Sequence, residues 1–127
     1  MKKPAIKTLR NKADKLYQEL GRELADKCEI CGGRYSCRHH FFPKSMCSNL
    51  RYDINNGISI CQRCHFSHHN GNPVIHQVVL KQRGNEWFND LLKKKNTYVK
   101  TDRFFYELHI KNLQDKICEA KGTNTKQ

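Results

Sequence analysis

The sequence predicts a single α+β domain in which helices flank a small core stapled by a metal. Apolar residues recur at spacings of three and four near both ends of the chain, as amphipathic helices require. Between these stretches, residues 28–72 are rich in glycine, cysteine and histidine. Hydrophobic residues make up only 37% of the 127 residues, and chains with so little core often add a metal.

The first predicted element is a helix over residues 5–26, where charged residues alternate with a periodic set: Ile6, Leu9, Ala13, Leu16, Leu20 and Leu24. Two short strands are predicted over residues 35–41 and 57–60, with a polar loop between them. A short helix is predicted to begin near Gln62.

Helices return in the last third of the chain. Asn72 and Pro73 are typical of a helix start, and that helix is predicted to end at Gly84. Asn85 is predicted to cap a second helix, and a final helix is predicted over residues 101–118. We predict a disordered tail over residues 121–127. No linker long enough to divide the chain is visible, so residues 1–127 are predicted to form one domain.

The charge balance favours a polyanionic partner. Lys and Arg number 24 against 12 Asp and Glu, a net charge of +12, and the excess is spread along the chain. A basic surface of this kind is typical of nucleic-acid binding, although a merely basic protein remains the alternative. The sequence lacks an apolar run long enough for a membrane span. Its basic start lacks the apolar stretch of a secretory signal, so we expect a cytoplasmic protein.

Two chelating cysteine pairs predict a structural zinc site. Cys28 and Cys31 form one C-x-x-C pair, Cys61 and Cys64 form the other, and 29 residues separate the pairs. Each pair can fill two corners of a tetrahedron, and two pairs close a zinc site.

Other functions of the cysteines are less consistent with the sequence. The run CQRCH matches a haem-attachment pattern, but that pattern leaves the first cysteine pair without a role. A thioredoxin-like redox pair would need a βαβ context that is not predicted. Cys37 and Cys47 remain alternative ligands, although single thiols are more often small apolar fillers. Cys118 is also left over.

The histidines predict a second metal site. In the middle segment the only carboxylates are Glu29 and Asp53, too few for a site that holds two magnesium ions. His65 and His69 are four residues apart and would share one face of a helix, while His68 would point elsewhere. The segment therefore favours a site for one metal built from imidazoles. Its five histidines are His39, His40, His65, His68 and His69.

Four stretches occur in a characteristic order: CEIC, HHFFP, NNGISICQRCH and then His69. In this order they resemble the HNH, or ββα-metal, endonucleases. Residues 12–117 further resemble the NinG/Rap-type phage recombination nucleases, through KADKLYQEL, LRYDINNGISICQRC and HNGNPVIHQVVLKQRG. The resemblance implies a ββα-metal core between the flanking helices.

The resemblance also implies roles for individual residues. His40 matches the general base, His39 the first metal ligand and His65 the second. His69 matches an additional ligand or phosphate contact. Asn56 matches the residue that ties the hairpin loop and orients the histidine.

Two departures from the family pattern bear on the catalytic ion. His39 stands where the superfamily often has aspartate, and His65 stands where the NinG-like group often has asparagine. Imidazole in place of oxygen shifts metal preference from magnesium toward zinc, nickel or manganese. We therefore expect one structural zinc and one catalytic divalent cation: Mg, Mn, Ni or Zn.

The sequence as a whole predicts a metal-dependent DNA endonuclease that hydrolyses phosphodiester bonds, and the NinG-like resemblance implies branched DNA. Basic residues near the histidines are predicted to contact flanking phosphates: Arg38, Lys44, Arg51 and Arg63. A homodimer is left open. The rival functions are a non-catalytic zinc module that binds nucleic acid and a structural zinc protein that binds other proteins.

Overall fold

The computed structural model describes residues 3–69 and 73–125, which form an α+β fold with four helices and a two-stranded sheet. The elements in chain order are α1 (Ile6–Leu24), β1 (Cys37–His40), β2 (Gly57–Ile60), α2 (Gln62–His69), α3 (Val74–Asn96) and α4 (Arg103–Thr125). Two short 3₁₀ turns lie in the loop between the strands, at Ser48–Leu50 and Ile54–Asn56.

Helices α1 and α4 form one layer around their own apolar core. The periodic residues of α1 supply Ala13, Tyr17 and Leu20 to this core, and α4 supplies Leu113 and Ile117. The two helices run parallel. Arg10 donates to the Tyr106 hydroxyl at 3.2 Å near their starts, while Lys121 lies 3.4 Å from a Glu19 oxygen near their ends.

The second core lies between the hairpin and α3. Strands β1 and β2 pair antiparallel, with His39 opposite Ile58 and His40 opposite Gly57. Every residue of β2 is buried, and its Ile58 and Ile60 join the apolar cluster that contains Val79 and Leu91 of α3. The free edge of β1 is closed by α1, because the Gln18 side chain bonds both the N–H and the C=O of Arg38. The hairpin is thus held between two helices.

The C-terminal third agrees with the sequence prediction at Gly84 and differs from it at the tail. Helix α3 consists of two helical segments joined at a kink, where Gly84 takes the non-helical angles φ 89° and ψ 169°, as the predicted break at this residue requires. Asn72 lies outside the described residues, and the helix follows Pro73. The tail predicted over residues 121–127 is helical as far as Thr125. Lys121 there approaches carboxylates of α1, so contacts with α1 extend beyond the last apolar residue of the repeat.

Candidate metal centre and adjoining histidine cleft

Four cysteine thiols meet at one point beside the hairpin. The Sγ atoms of Cys28, Cys31, Cys61 and Cys64 all lie within 4.8 Å of one another. The first two come from the turn between α1 and β1, where Gly32 takes φ 75° and the Cys28 N–H donates to the Gly33 carbonyl at 2.8 Å. A positive φ is inexpensive only for glycine, so the turn depends on this residue type.

The second pair is set by the start of α2. Cys61 directly precedes the helix and Cys64 lies in its first turn, where the Cys64 N–H points at the Cys61 sulfur from 3.4 Å. The Ile30 N–H approaches the Cys28 sulfur in the same way. These are the N–H···S contacts that stabilise thiolates, so both turns are ready to hold negatively charged sulfur.

The donor set fits a tetrahedral metal. Zinc–sulfur bonds of about 2.3 Å place neighbouring sulfurs roughly 3.8 Å apart, and the Cys31 and Cys61 sulfurs lie 3.6 Å apart. The Gly33 N–H and the neighbouring thiols lower the pKa of Cys31 to about 6, whereas burial raises the pKa of Cys64. Four crowded thiols cannot all ionise without a cation to balance them. The group could hold a structural metal such as zinc.

The structure places three of the predicted histidines, His39, His40 and His65, at one cleft. His39 on β1 and His65 on α2 lie with ring centroids 5.0 Å apart. Both line an open cavity of about 490 Å³, together with Cys37, His40 and Lys44. Strand alternation alone would turn His39 and His40 to opposite faces. Because β1 ends at His40, both side chains line the same cavity.

The hydrogen bond of His40 decides which of its nitrogens is basic. Nε2 lies 2.8 Å from the backbone carbonyl of Arg51. A carbonyl only accepts hydrogen bonds, so Nε2 carries the proton and Nδ1 of the neutral ring keeps its lone pair. Burial, partly offset by this hydrogen bond, lowers the pKa of His40. The ring is therefore neutral near pH 7 and able to accept a proton.

Helix α1 holds His40 and Arg51 in place. The Tyr17 ring stacks on His40 with centroids 5.1 Å apart and planes 9° from parallel. Asp14 receives two hydrogen bonds from the Arg51 guanidinium, at 2.8 and 2.7 Å, and a third from the Tyr52 hydroxyl at 2.9 Å. Burial would raise the pKa of Asp14, but the Arg51 and Tyr52 hydrogen bonds and the Arg51 charge outweigh it and lower that pKa.

Neither Asp14 nor Tyr17 was predicted to belong to the site. The only sequence feature that could have indicated them is an aspartate inside a basic helix. An aspartate there is equally common on a helix face that contacts only solvent.

Asn56 ties the loop between the strands rather than lining the cleft. It is fully buried, its side-chain oxygen accepts from the Phe42 N–H at 2.8 Å, and its amide donates to the Phe42 and Leu50 carbonyls. The backbone carbonyl of Asn56 also accepts from Phe41. The residue therefore joins the end of β1 to the loop that precedes Arg51, which is the loop-tying position that the resemblance implies.

The four predicted phosphate contacts divide into two groups. Arg38 donates to the Ser59 hydroxyl and to the Ile54 carbonyl, and Arg51 is paired with Asp14. Their guanidinium groups thus bond within the fold, and their predicted role as phosphate contacts stays a prediction. Lys44 lines the cleft and is exposed, and Arg63 is exposed beside the thiol of Cys31.

Cys47, an alternative ligand, and Cys118, which had no predicted role, lie outside the thiol group. Cys47 is buried and donates to the Pro43 carbonyl, and Cys118 is exposed on α4. Within residues 3–69 and 73–125, no second set of three or more metal-ligating groups is as close together as the four cysteines. His69 is the last residue of α2, and its side chain, like that of His68, lies outside the described part.

No protein-family model matches the chain, and no curated protein or solved structure is significantly similar to it. The resemblance to HNH endonucleases therefore rests on the motifs and on the residues of the cleft. None of the described helices is long and apolar enough to cross a membrane.

Proposed function

We propose that the chain is a metal-dependent HNH endonuclease that hydrolyses phosphodiester bonds in DNA. The observation that carries this proposal is the state of His40. Its Nε2 donates to the Arg51 carbonyl at 2.8 Å, so the neutral imidazole keeps a basic Nδ1, and His40 lines the same cavity as His39 and His65. A general base beside two potential metal ligands is what phosphodiester hydrolysis requires.

The roles of the residues follow from this arrangement. His40 takes a proton from the attacking water at Nδ1, the water oxygen bonds to phosphorus, and the bond from phosphorus to the 3′ oxygen breaks. The departing oxygen takes up a proton from solvent. His39 and His65 would hold the divalent cation, which supplies charge stabilisation for the phosphate and the departing oxygen. Lys44, exposed at the same cavity, would attract the phosphate.

The surrounding architecture supports this reaction. The thiol group fixes the start of α2 and thereby the position of His65 one residue after Cys64. The net charge of +12 favours a phosphate-rich partner. The more specific proposal, a preference for branched DNA, comes from the NinG-like resemblance alone.

The test is cleavage of supercoiled plasmid by the purified chain with added Mn²⁺. We expect nicked and linear products that disappear on chelation and in His40→Ala. Glu107→Gln, a change at an exposed residue of α4 outside the cleft, serves as the control and should cut normally. A four-way junction of the same length as a linear duplex control tests the branched preference. DNA binding without any cleavage, in every metal tried, would instead identify a zinc module that only binds.

A further inference from the structure

Cys37 is a third residue at the pair of histidine ligands. It lies two positions before His39 on β1, so both side chains project from the same face of the strand. Its sulfur lies 3.8 Å from Nδ1 of His65, within reach of a hydrogen bond that involves sulfur. Sequence reasoning left Cys37 as an apolar filler or a substitute zinc ligand. It lies outside the thiol group, and it is half-buried and packs against the apolar core of the hairpin.

The position of that sulfur bears on how His65 can bind a cation. A neutral imidazole ligates through one nitrogen only if the other carries the proton, and the group that receives this N–H fixes the tautomer and the ring orientation. A thiol sulfur accepts hydrogen bonds weakly, and its S–H also donates weakly. When the sulfur accepts from the Nδ1–H, Nε2 of the ring keeps its lone pair.

We propose that Cys37 is a positioning residue whose sulfur accepts the Nδ1–H of His65 and so leaves Nε2 as the nitrogen that binds a divalent cation. The inference rests on the cation site of the proposed nuclease. It assigns to a cysteine the task that a carboxylate or a backbone carbonyl performs behind most histidine ligands.

The geometry favours this role over direct ligation. A third ligand would place its sulfur close to the donor nitrogens of both histidines. In the described part of the chain, only the four cysteines of the thiol group form a set of three or more donors within 4.8 Å of one another. The imidazole planes of His39 and His65 are inclined by 60°, and the Cys37 sulfur approaches Nδ1 of His65 at 3.8 Å.

The experiment uses the full chain with zinc bound at its thiol group and compares wild type, Cys37→Ala and Cys37→Ser. Cys118→Ala, on the exposed face of α4, is the matched control. Long-range ¹⁵N spectra report which ring nitrogen of His65 carries the proton, and His65→Ala identifies its signals. Calorimetry then measures Mn²⁺ binding, because this ion prefers oxygen and nitrogen donors and leaves the thiolates to zinc.

We expect His65 to be protonated at Nδ1 in wild type and in Cys118→Ala. Cys37→Ala should lose this preference and bind Mn²⁺ about 10- to 100-fold more weakly, while zinc content and helicity stay unchanged. Cys37→Ser should recover part of both, because its hydroxyl can accept the same hydrogen bond. A wild-type His65 protonated at Nε2, or a Cys37→Ala chain with unchanged tautomer and Mn²⁺ affinity, would overturn the inference.

These readouts do not depend on cleavage. If tautomer and affinity respond as expected but wild type cuts no DNA, the proposed nuclease fails while the role of Cys37 stands. If wild type cuts DNA and Cys37→Ala matches it in tautomer, affinity and rate, the nuclease stands and the role of Cys37 fails.

Discussion

The thiol group and the histidine cleft lie side by side on the same hairpin and α2, yet they are built in opposite ways. The thiol group collects four donors within 4.8 Å, and three of its four cysteines are buried. Among the side chains that the structure describes, the cleft pairs the rings of His39 and His65 at an open cavity of about 490 Å³. Structural metal sites are closed, and catalytic sites keep positions open for water and substrate. The contrast predicts that the two regions fail differently when they are mutated.

The largest expected effect is loss of the thiol group. Cys61→Ser should remove the zinc and unfold most of the domain, because the binding free energy of a structural zinc, about 10–16 kcal/mol in small peptides, is part of the folding energy. Elemental analysis and thermal melting check this, with Cys118→Ser as the control that keeps metal and stability. A wild-type chain that is folded although it contains no zinc would show that the thiol group is not a structural zinc site.

Loss of the base should affect only the cleft. His40→Ala is expected to lower the cleavage rate by about 10²–10⁴-fold while zinc content, melting temperature and DNA affinity stay close to wild type. Single-turnover cleavage under saturating protein separates the chemical step from binding. A variant that cuts as well as wild type would show that His40 is not the base, and the HNH proposal would then be wrong.

His65→Ala, a change on α2, tests whether the histidine cleft can lose its cation while the thiol group keeps its zinc. This change should weaken Mn²⁺ binding and cleavage together, while the zinc at the thiol group and the fold remain. The measurement pairs calorimetry with elemental analysis on the same sample. Loss of zinc in this variant would mean that the two sites are one cooperative unit rather than neighbours.

The two regions also differ in how well the sequence predicted them. The thiol group was predicted in full, because C-x-x-C spacing is local and two such pairs have few other uses. The hairpin and α2 were also predicted from local signals, because turn residues and short apolar runs mark where they begin and end. The cleft was predicted only in part. Asp14 and Tyr17 reach it from α1, across more than 20 residues of chain, and no spacing rule links them to His40.

The two arginines illustrate the limit from the other side. Arg38 and Arg51 have the positive charge that phosphate contacts need, but their guanidinium groups bond Ser59 and Asp14 inside the fold. A positive charge in the sequence does not show whether the side chain faces solvent or bonds within the fold. Gly21 of α1 is a second residue whose role depends on a contact between distant elements. A Cβ at this position would lie 2.9 Å from that of Arg38, so the small residue lets β1 approach α1.

A smaller effect is expected from the support that α1 gives to the cleft. Asp14→Asn should lower the cleavage rate about tenfold, as positioning changes behind a functional group do, with little change in DNA affinity. Stability should fall by about 1 kcal/mol, since the Asp14–Arg51 pair is only partly buried. Rescue of the rate by Asp14→Glu would support positioning. Equal losses in all variants, matched by lower melting temperatures, would indicate a purely structural pair.

The same pair predicts a pH dependence of stability. The folded-state pKa of Asp14 lies below its usual value of 3.8. Its stabilising contribution is therefore present above that value and is lost as pH falls through the lowered pKa. The difference in unfolding free energy between wild type and Asp14→Asn should hold at pH 6 and shrink as the pH is lowered below 3.8. A difference that stays constant over this range would show that ionised Asp14 does not contribute.

The smallest expected effect concerns the exposed charge at the cleft. Lys44 lines the cavity, and its loss should remove about one phosphate contact. Lys44→Ala should therefore weaken DNA binding several-fold and reduce the slope of log affinity against log salt by about one, because one fewer counterion is released. Lys111→Ala, an exposed lysine on α4, is the matched control and should leave the slope unchanged. Equal slopes for the two variants would mean that DNA follows the basic surface without entering the cleft, which would favour the binding module over the nuclease.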